Sequence, residues 1–273
     1  MSTGRNALMA LRYAAALGAL VVFLFPLYWL FVTALKTPEE VLTYPPVWWP
    51  RAPQLENFVG LVTGGDWRAL FNSVIVALLS TLISVALGTG TAYAIVRGGR
   101  AASLFASWTA ASRMTPPVMV ALPFVLILPG LGLFGGIAAL VLLLAAFNLP
   151  YVLWMMRGYF REVPAALEET ALVAGLGREQ VFAQVVWPMA RAGLLPTAAF
   201  TFLLAWNELA FALTLTGDAF ATLPAELARF GQEPELWGRI SALGVAGMLP
   251  VPIALALIGP RLARTLSLGV VRS

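Results

Sequence analysis

The chain alternates long apolar runs with short polar interruptions, and the runs have the length that crosses a bilayer. A hydrocarbon core of about 30 Å needs ~20 helical residues at roughly 1.5 Å each. Residues 13–35 form the first such run. A signal peptide is its rival reading, but the apolar part of one is only about 7–15 residues long. This run is longer and ends in TALKTPEE, so it is expected to stay as an uncleaved span. Further runs predict spans over 70–96, 102–128, 137–156, 192–215 and 240–260. The expected fold is therefore an all-α integral membrane protein with six transmembrane helices. Polar loops cover 36–69 and 216–239, and a basic tail covers 261–273.

The spans carry their own punctuation. In the second, Ser80, Ser84 and Gly88 recur every four residues and give one small-residue face for close helix packing. The third contains Arg113, Pro116, Pro117 and Pro123. Proline removes backbone hydrogen bonds, which is tolerated in a membrane only where neighbours or water satisfy the freed groups. An intramembrane arginine costs about 2.5–3.5 kcal/mol on insertion scales. Arg113 either lines a polar cavity or is a structural partner of Glu208. Asn148 lies late in the fourth span, and Trp206, Asn207 and Glu208 lie inside the fifth. These five residues are the candidates for a polar pathway. Trp206 can equally be a packing residue, and Glu208 suits a structural or gating role with Arg113 better than direct binding. Tyr44, Trp48, Trp49 and Trp67 suit a headgroup-level belt, or are simply loop aromatics.

One stretch breaks the apolar pattern. Residues 161–190 read REVPAALEETALVAGLGREQVFAQVVWPMA, charged and amphipathic between two hydrophobic blocks. Pro164 can open a helix, where its missing N–H is no loss. Leu167, Thr170, Ala171 and Ala174 fall on one face of it, flanked by Glu168 and Glu169. Gly175 and Gly177 can take the positive φ that ends a helix. A second short helix is expected over 178–186, with Val181, Phe182 and Val185 toward the membrane, and Pro188 marks the return to the bilayer. Such a glycine-joined helix pair is either a knob for a partner's groove or a passive interfacial element.

Composition sharpens this picture mainly by what is missing. Of 273 residues, 60% are hydrophobic and 11% charged, against about 25% charged in soluble domains. The chain has no Cys and no His, so thiolate chemistry, histidine bases and the usual metal ligands are absent. An intramembrane enzyme is thereby disfavoured. The only lysine, Lys36, follows no glycine-rich loop, so this chain has no Walker A site for ATP. The net charge of +4 reflects loop arginines rather than nucleic-acid binding. With both termini cytoplasmic, the inner segments hold eleven Arg and the outer loops five Lys or Arg, the asymmetry the positive-inside rule requires. The insert is then cytoplasmic.

The insert resembles the EAA loop of ABC importer permeases, roughly E-A-A-x-x-x-G, nine residues, then I-x-L-P. Glu169, Thr170 and Ala171 stand at E-A-A, Gly175 at the glycine, and Val185, Trp187 and Pro188 at I-x-L-P. The context VPAALEETALVAGLG followed by AWNELAFALTLT, with RMTPP and the late LPAELARF, is similar to the carbohydrate-uptake branch and its second, six-span permease. The likeness covers nearly the whole chain. Three positions depart from the pattern: Thr170 replaces the first alanine, and Ala174 and Leu176 flank Gly175 where the branch reads Asp-Gly-Ala.

The resemblance implies a type I ABC importer permease fold in a prokaryotic inner membrane. It implies a second permease subunit, a cytoplasmic ABC ATPase dimer that binds ATP and magnesium, an external solute-binding protein, and a sugar as cargo. No cofactor is expected in this chain. Glu168, Glu169, Thr170, Ala171, Gly175 and Leu176 are the ATPase-coupling residues it implies, with Glu169 in contact, Ala171 at the close approach and Gly175 at the turn. A glycerol phosphate or another polar solute stays open as cargo. A gradient-driven secondary transporter is the alternative from another class, and it leaves the EAA-like insert unexplained.

Overall fold

The apolar runs fold into helices because a backbone in lipid must satisfy its own hydrogen bonds. The computed structural model describes residues 2–98, 104–105, 107, 109, 111–112, 114–216, 220–231, 233–253, 256 and 259, with side chains from residue 9 onward. Arg113 and the tail 261–273 lie outside the described residues, as do parts of the expected third and sixth spans. The chain divides into two compact units, Met1–Leu70 with Glu226–Leu249, and Phe71–Ala225 with Pro250–Ser273.

In the first unit, α1 (Ser2–Ala34) is followed by α2 (Pro38–Leu42) and α3 (Glu56–Thr63), and α11 (Trp237–Met248) returns against α1. Gly244 allows that approach: a Cβ there would lie 3.2 Å from Leu30. The last carbonyls of α1 need partners from outside the helix. Asn57 Nδ2 donates to the Ala34 and Lys36 carbonyls at 3.0 Å each, and Gln54 Nε2 donates to Lys36 at 3.1 Å. Lys36 is only 2% exposed, with Nζ 4.0 Å from the centre of the Trp29 ring. Burial pushes its ammonium below the usual lysine range, and nearby Glu40 partly offsets this. Asp66, buried, pairs with Arg239. Trp48 packs edge-on to Trp29 and accepts the Tyr28 hydroxyl on its carbonyl at 2.7 Å.

The second unit holds α4 (Trp67–Arg97) from Phe71 onward, α5 (Pro117–Ile127), α6 (Ile137–Arg161), α7 (Ala165–Val173), α8 (Arg178–Trp206), α9 (Ala210–Leu215) and the start of α10 (Leu223–Phe230). The small-residue face of α4 meets α6. Ser84 donates to the Ala145 carbonyl across the helices at 2.8 Å, and a Cβ on Gly88 would fall 2.6 Å from Val152.

Among the described residues, five helices have the length and apolarity to cross a membrane: Met9–Ala34, Trp67–Arg97, Ile137–Arg161, Arg178–Trp206 and Pro234–Ile253. In the region of the expected third span, the described residues 104, 105, 107, 109, 111 and 112 are helical, and after a turn α5 begins at Pro117 and has 11 residues. The expected fifth span is broken. Helix α8 ends at Trp206 and α9 resumes at Ala210. Helix α8 also starts earlier than expected, because the anticipated second short helix runs directly into it. A π turn over Phe182–Val186 and a 3-10 turn over Arg191–Gly193 bracket Pro188. Such turns absorb the backbone bond that proline cannot make.

Candidate functional site

The polar insert has a defined shape because its backbone closes on itself. Helix α7 follows Pro164, whose backbone is extended at φ −63° and ψ 128°. At the other end the Gly175 N–H donates to the Leu172 carbonyl at 3.0 Å, and the Leu176 N–H donates to the Ala171 carbonyl at 3.1 Å. This is the Schellman closure, and it needs a left-handed residue at Gly175, where φ is +93°. Gly177, the other glycine of the pair, is extended at φ −70° and ψ 158° and opens α8, its N–H donating to Gln180 Oε1 at 2.9 Å.

The turn at Gly175 yields a clean expectation. A Cβ there would meet nothing within 4 Å, so any penalty is conformational. A β-carbon in the left-handed region costs about 1–2 kcal/mol, and asparagine tolerates it best. Limited proteolysis of the purified permease should therefore cut the insert fastest in Gly175→Val, then Gly175→Ala, then Gly175→Asn. Equal cutting across the series would show that the turn does not depend on its handedness.

The insert has two unlike faces. Inward lie Glu168, Ala171 and Leu176, against a core of Val163, Val181, Val186, Phe160 and Met156. Tyr93 from α4 and Phe182 from α8 meet there with ring centres 4.9 Å apart, and Tyr93 lies 5.5 Å from Phe160 of α6. Outward lie Glu169, Thr170, Leu172, Val173 and Ala174. Val173 is 90% exposed, and Leu167 and Leu172 are nearly half-exposed. Thr170 returns its hydroxyl to the Ala166 carbonyl at 2.7 Å, which leaves its methyl group to the outer surface. The face is thus apolar with one free carboxylate, Glu169.

The two adjacent glutamates have parted company. Glu168 is 8% exposed, and its carboxylate accepts the Tyr93 hydroxyl at 2.9 Å and Arg97 Nε at 2.7 Å. Arg97 also forms an ion pair with it through Nη2 and donates from the same nitrogen to the Val163 carbonyl at 2.9 Å. Tyr93 and Arg97 were not among the residues that the sequence singled out for this site. Their only signal is that Arg97 ends an apolar span with a positive charge. Leu172 and Val173 carry no signal either, because apolar residues near a membrane are unremarkable until exposure is known.

The intramembrane candidates separate into two places. Trp206 is 3% exposed and stacks on Phe202 at 5.8 Å. Asn207 and Glu208 occupy the break between α8 and α9 and bond its freed backbone groups. Asn207 Nδ2 donates to the Leu203 carbonyl at 2.8 Å, and Glu208 Oε1 accepts the Phe211 N–H at 3.2 Å. That carboxylate sits at the positive end of α9. Asn148 is buried on α6, and its Nδ2 has no hydrogen-bond partner. Its neighbour Phe147 packs edge-on to Phe211 at 4.9 Å. Arg113 lies outside the described residues, so its pairing with Glu208 is not seen. Among the described residues no group of three or more His, Cys, Asp or Glu side chains could hold a metal ion.

The chain resembles known proteins in sequence and in fold. The chain is similar to the sulfoquinovosyl glycerol transport system permease protein SmoH of Agrobacterium fabrum, 32% identical over 95% of this chain and 92% of the relative. It is likewise similar to the trehalose transport system permease protein SugB of Mycobacterium tuberculosis, 32% identical over 95% of this chain and 97% of that one. Its fold matches a chain from the crystal structure of a bacterial ABC transporter involved in the import of the acidic polysaccharide alginate. The TM-score is 0.74 at 19% identity, over 94% of this chain and 97% of the other. Residues 83–266 match the family described as binding-protein-dependent transport system inner membrane component. The chain therefore belongs to that family: it is a multi-pass inner-membrane permease, a non-catalytic transmembrane subunit of a binding-protein-dependent ABC importer.

Proposed function

We propose that this permease forms half of the pathway for a sugar or oligosaccharide, paired with a second permease subunit and driven by a separate cytoplasmic ATPase dimer. In this reading the chain crosses the membrane six times with both termini cytoplasmic. ATP and magnesium are bound by the ATPase, and an external binding protein delivers the solute. The observation that carries the reading is the insert. A rigidly closed helix lies outside the membrane-spanning runs and presents Leu172 and Val173 around Glu169. A partner's groove accounts for such a face better than water does. Rigid-body coupling also requires an element that does not bend within itself, which the closure at Gly175 supplies.

The cargo rests on the relatives, which include transport permeases for trehalose and diacetylchitobiose. Within the membrane, Asn207 and Glu208 serve the helix break between α8 and α9, and Trp206 packs within the second unit. The test is uptake by the purified four-component complex in proteoliposomes, offered trehalose, diacetylchitobiose, maltose and sn-glycerol 3-phosphate. ATP-dependent accumulation of one of the sugars is expected, with both termini of the chain on the ATPase side. Uptake of the glycerol phosphate alone would overturn the cargo, and uptake without ATP would overturn the drive.

A further inference from the structure

Among the described residues, Glu168 is the second unit's most committed carboxylate. It is nearly buried, and three donors from α4 already occupy it: the Tyr93 hydroxyl and two nitrogens of Arg97. A carboxylate offers about four lone-pair sites, so little of Glu168 is left for a partner protein. Its neighbour Glu169 is exposed and free to make such contacts. Arg97 does more than neutralise Glu168. By also holding the Val163 carbonyl, it grips the chain on both sides of Pro164, just before α7 and within its first turns. A guanidinium can do this because its donors form a fixed planar fork. The Tyr93 ring wedges between Phe160 and Phe182, so the same turn of α4 touches the start of α8 as well.

We infer that Glu168, Arg97 and Tyr93 form a strut through which the docking helix α7 moves the end of span α4, making Glu168 a positioning residue and not an ATPase contact. The inference rests on the coupling role proposed above for the insert. Helix α4 is 31 residues long and continuous. A displacement of α7 that keeps these bonds must carry the last turn of α4 with it, and a continuous helix passes that displacement into the membrane. The apolar contacts around Ala171 and Leu176 can slide, whereas a forked ion pair has one geometry.

The strut is tested by hydrogen–deuterium exchange on the complete transporter, comparing the nucleotide-free complex with one trapped by ATP and vanadate. In the wild type, trapping is expected to slow exchange at least threefold both at 165–173 and at 91–97. In Arg97→Met and Glu168→Gln the response at 165–173 should persist and that at 91–97 should fall below 1.5-fold. Tyr93→Phe, which removes one bond and keeps the ring, should give an intermediate response, and Arg97→Lys should restore part of it. A merely structural role would change the exchange of both states together and leave their difference intact, and that result would overturn the strut. So would a wild type in which 91–97 ignores trapping. Loss of the ATPase from Glu168→Gln but not from Arg97→Met would return Glu168 to the docking surface. If trapping leaves 165–173 itself unchanged in the wild type, the coupling role of the insert fails, and the strut with it.

Discussion

Val173→Asp is expected to release the ATPase from the purified transporter while the permease stays in the membrane. Val173 is 90% exposed on a helix outside the apolar runs, with the half-exposed Leu172 and Leu167 nearby. Burying a valine side chain against a partner is worth about 1.5–3 kcal/mol. A carboxylate in its place loses that and must also be desolvated. A loss of about 3 kcal/mol is roughly a hundredfold in affinity. One complication is local: Val173 is the last residue of α7, and a negative charge there opposes the helix dipole by about 0.3–1 kcal/mol. Val173→Lys separates the two effects, since a cation favours that helix end yet is equally unwelcome in an apolar groove. Both variants should copurify with less than a tenth of the wild-type ATPase. Retention of the ATPase by both would remove Val173 from the docking surface, and retention by the lysine variant alone would assign the effect to the helix.

The second large effect is expected at Gly88. A Cβ there would lie 2.6 Å from Val152 Cγ1, 2.9 Å from Val152 Cβ and 3.3 Å from Leu149 Cδ1. None of the first two atoms belongs to a flexible chain end, because valine is stiff about χ1 in a helix. The helices α4 and α6 must therefore separate. Overpacking typically costs about 1–3 kcal/mol, and Gly88→Leu, which adds far more than one methyl, should exceed Gly88→Ala. The interhelical bond from Ser84 to Ala145 lies one turn away and would be stretched by the same separation. Thermal unfolding of the detergent-purified permease should show Gly88→Leu as aggregated or strongly destabilised. Val152→Ala should recover part of the loss in Gly88→Ala. Gly90, where a Cβ meets nothing within 4 Å, is the internal control, and Gly90→Ala should be neutral or stabilising. A Gly88→Leu protein as stable as the Gly90 variant would mean that α4 and α6 do not pack this closely.

These two sites also mark what could be read from the chain. The stripe of Ser80, Ser84 and Gly88 was legible because helical spacing alone puts it on one face. The insert was legible because it is polar where its surroundings are not, and Gly175 because a helix end needs a left-handed residue. The separation of Glu168 from Glu169 was not legible. Neighbouring residues differ by about 100° around a helix, and Arg97 and Tyr93, 71 and 75 positions earlier, hold the one that turns inward. The ends of the fifth span were hidden for a related reason. Asn207 and Glu208 stand out in sequence as polar residues at membrane depth, and nothing in the sequence says that their side chains also close the backbone gap between α8 and α9. Leu176 stands out in sequence as a departure from the pattern beside Gly175. In the structure it packs inward as the residue that completes the turn.

The division of α7 into an inward and an outward face has an evolutionary consequence. Residues that hold the helix to its own subunit, Glu168, Ala171 and Leu176, are not those that face away from it, Glu169, Thr170, Val173 and Ala174. If the outer set is the ATPase's docking surface, as proposed above, changes there leave the contacts within the permease in place, and one transport channel can be re-matched to a different motor by a few surface changes. A lineage carrying many importers could then share a single ATPase among them, or give each its own, while leaving every pathway through the membrane untouched.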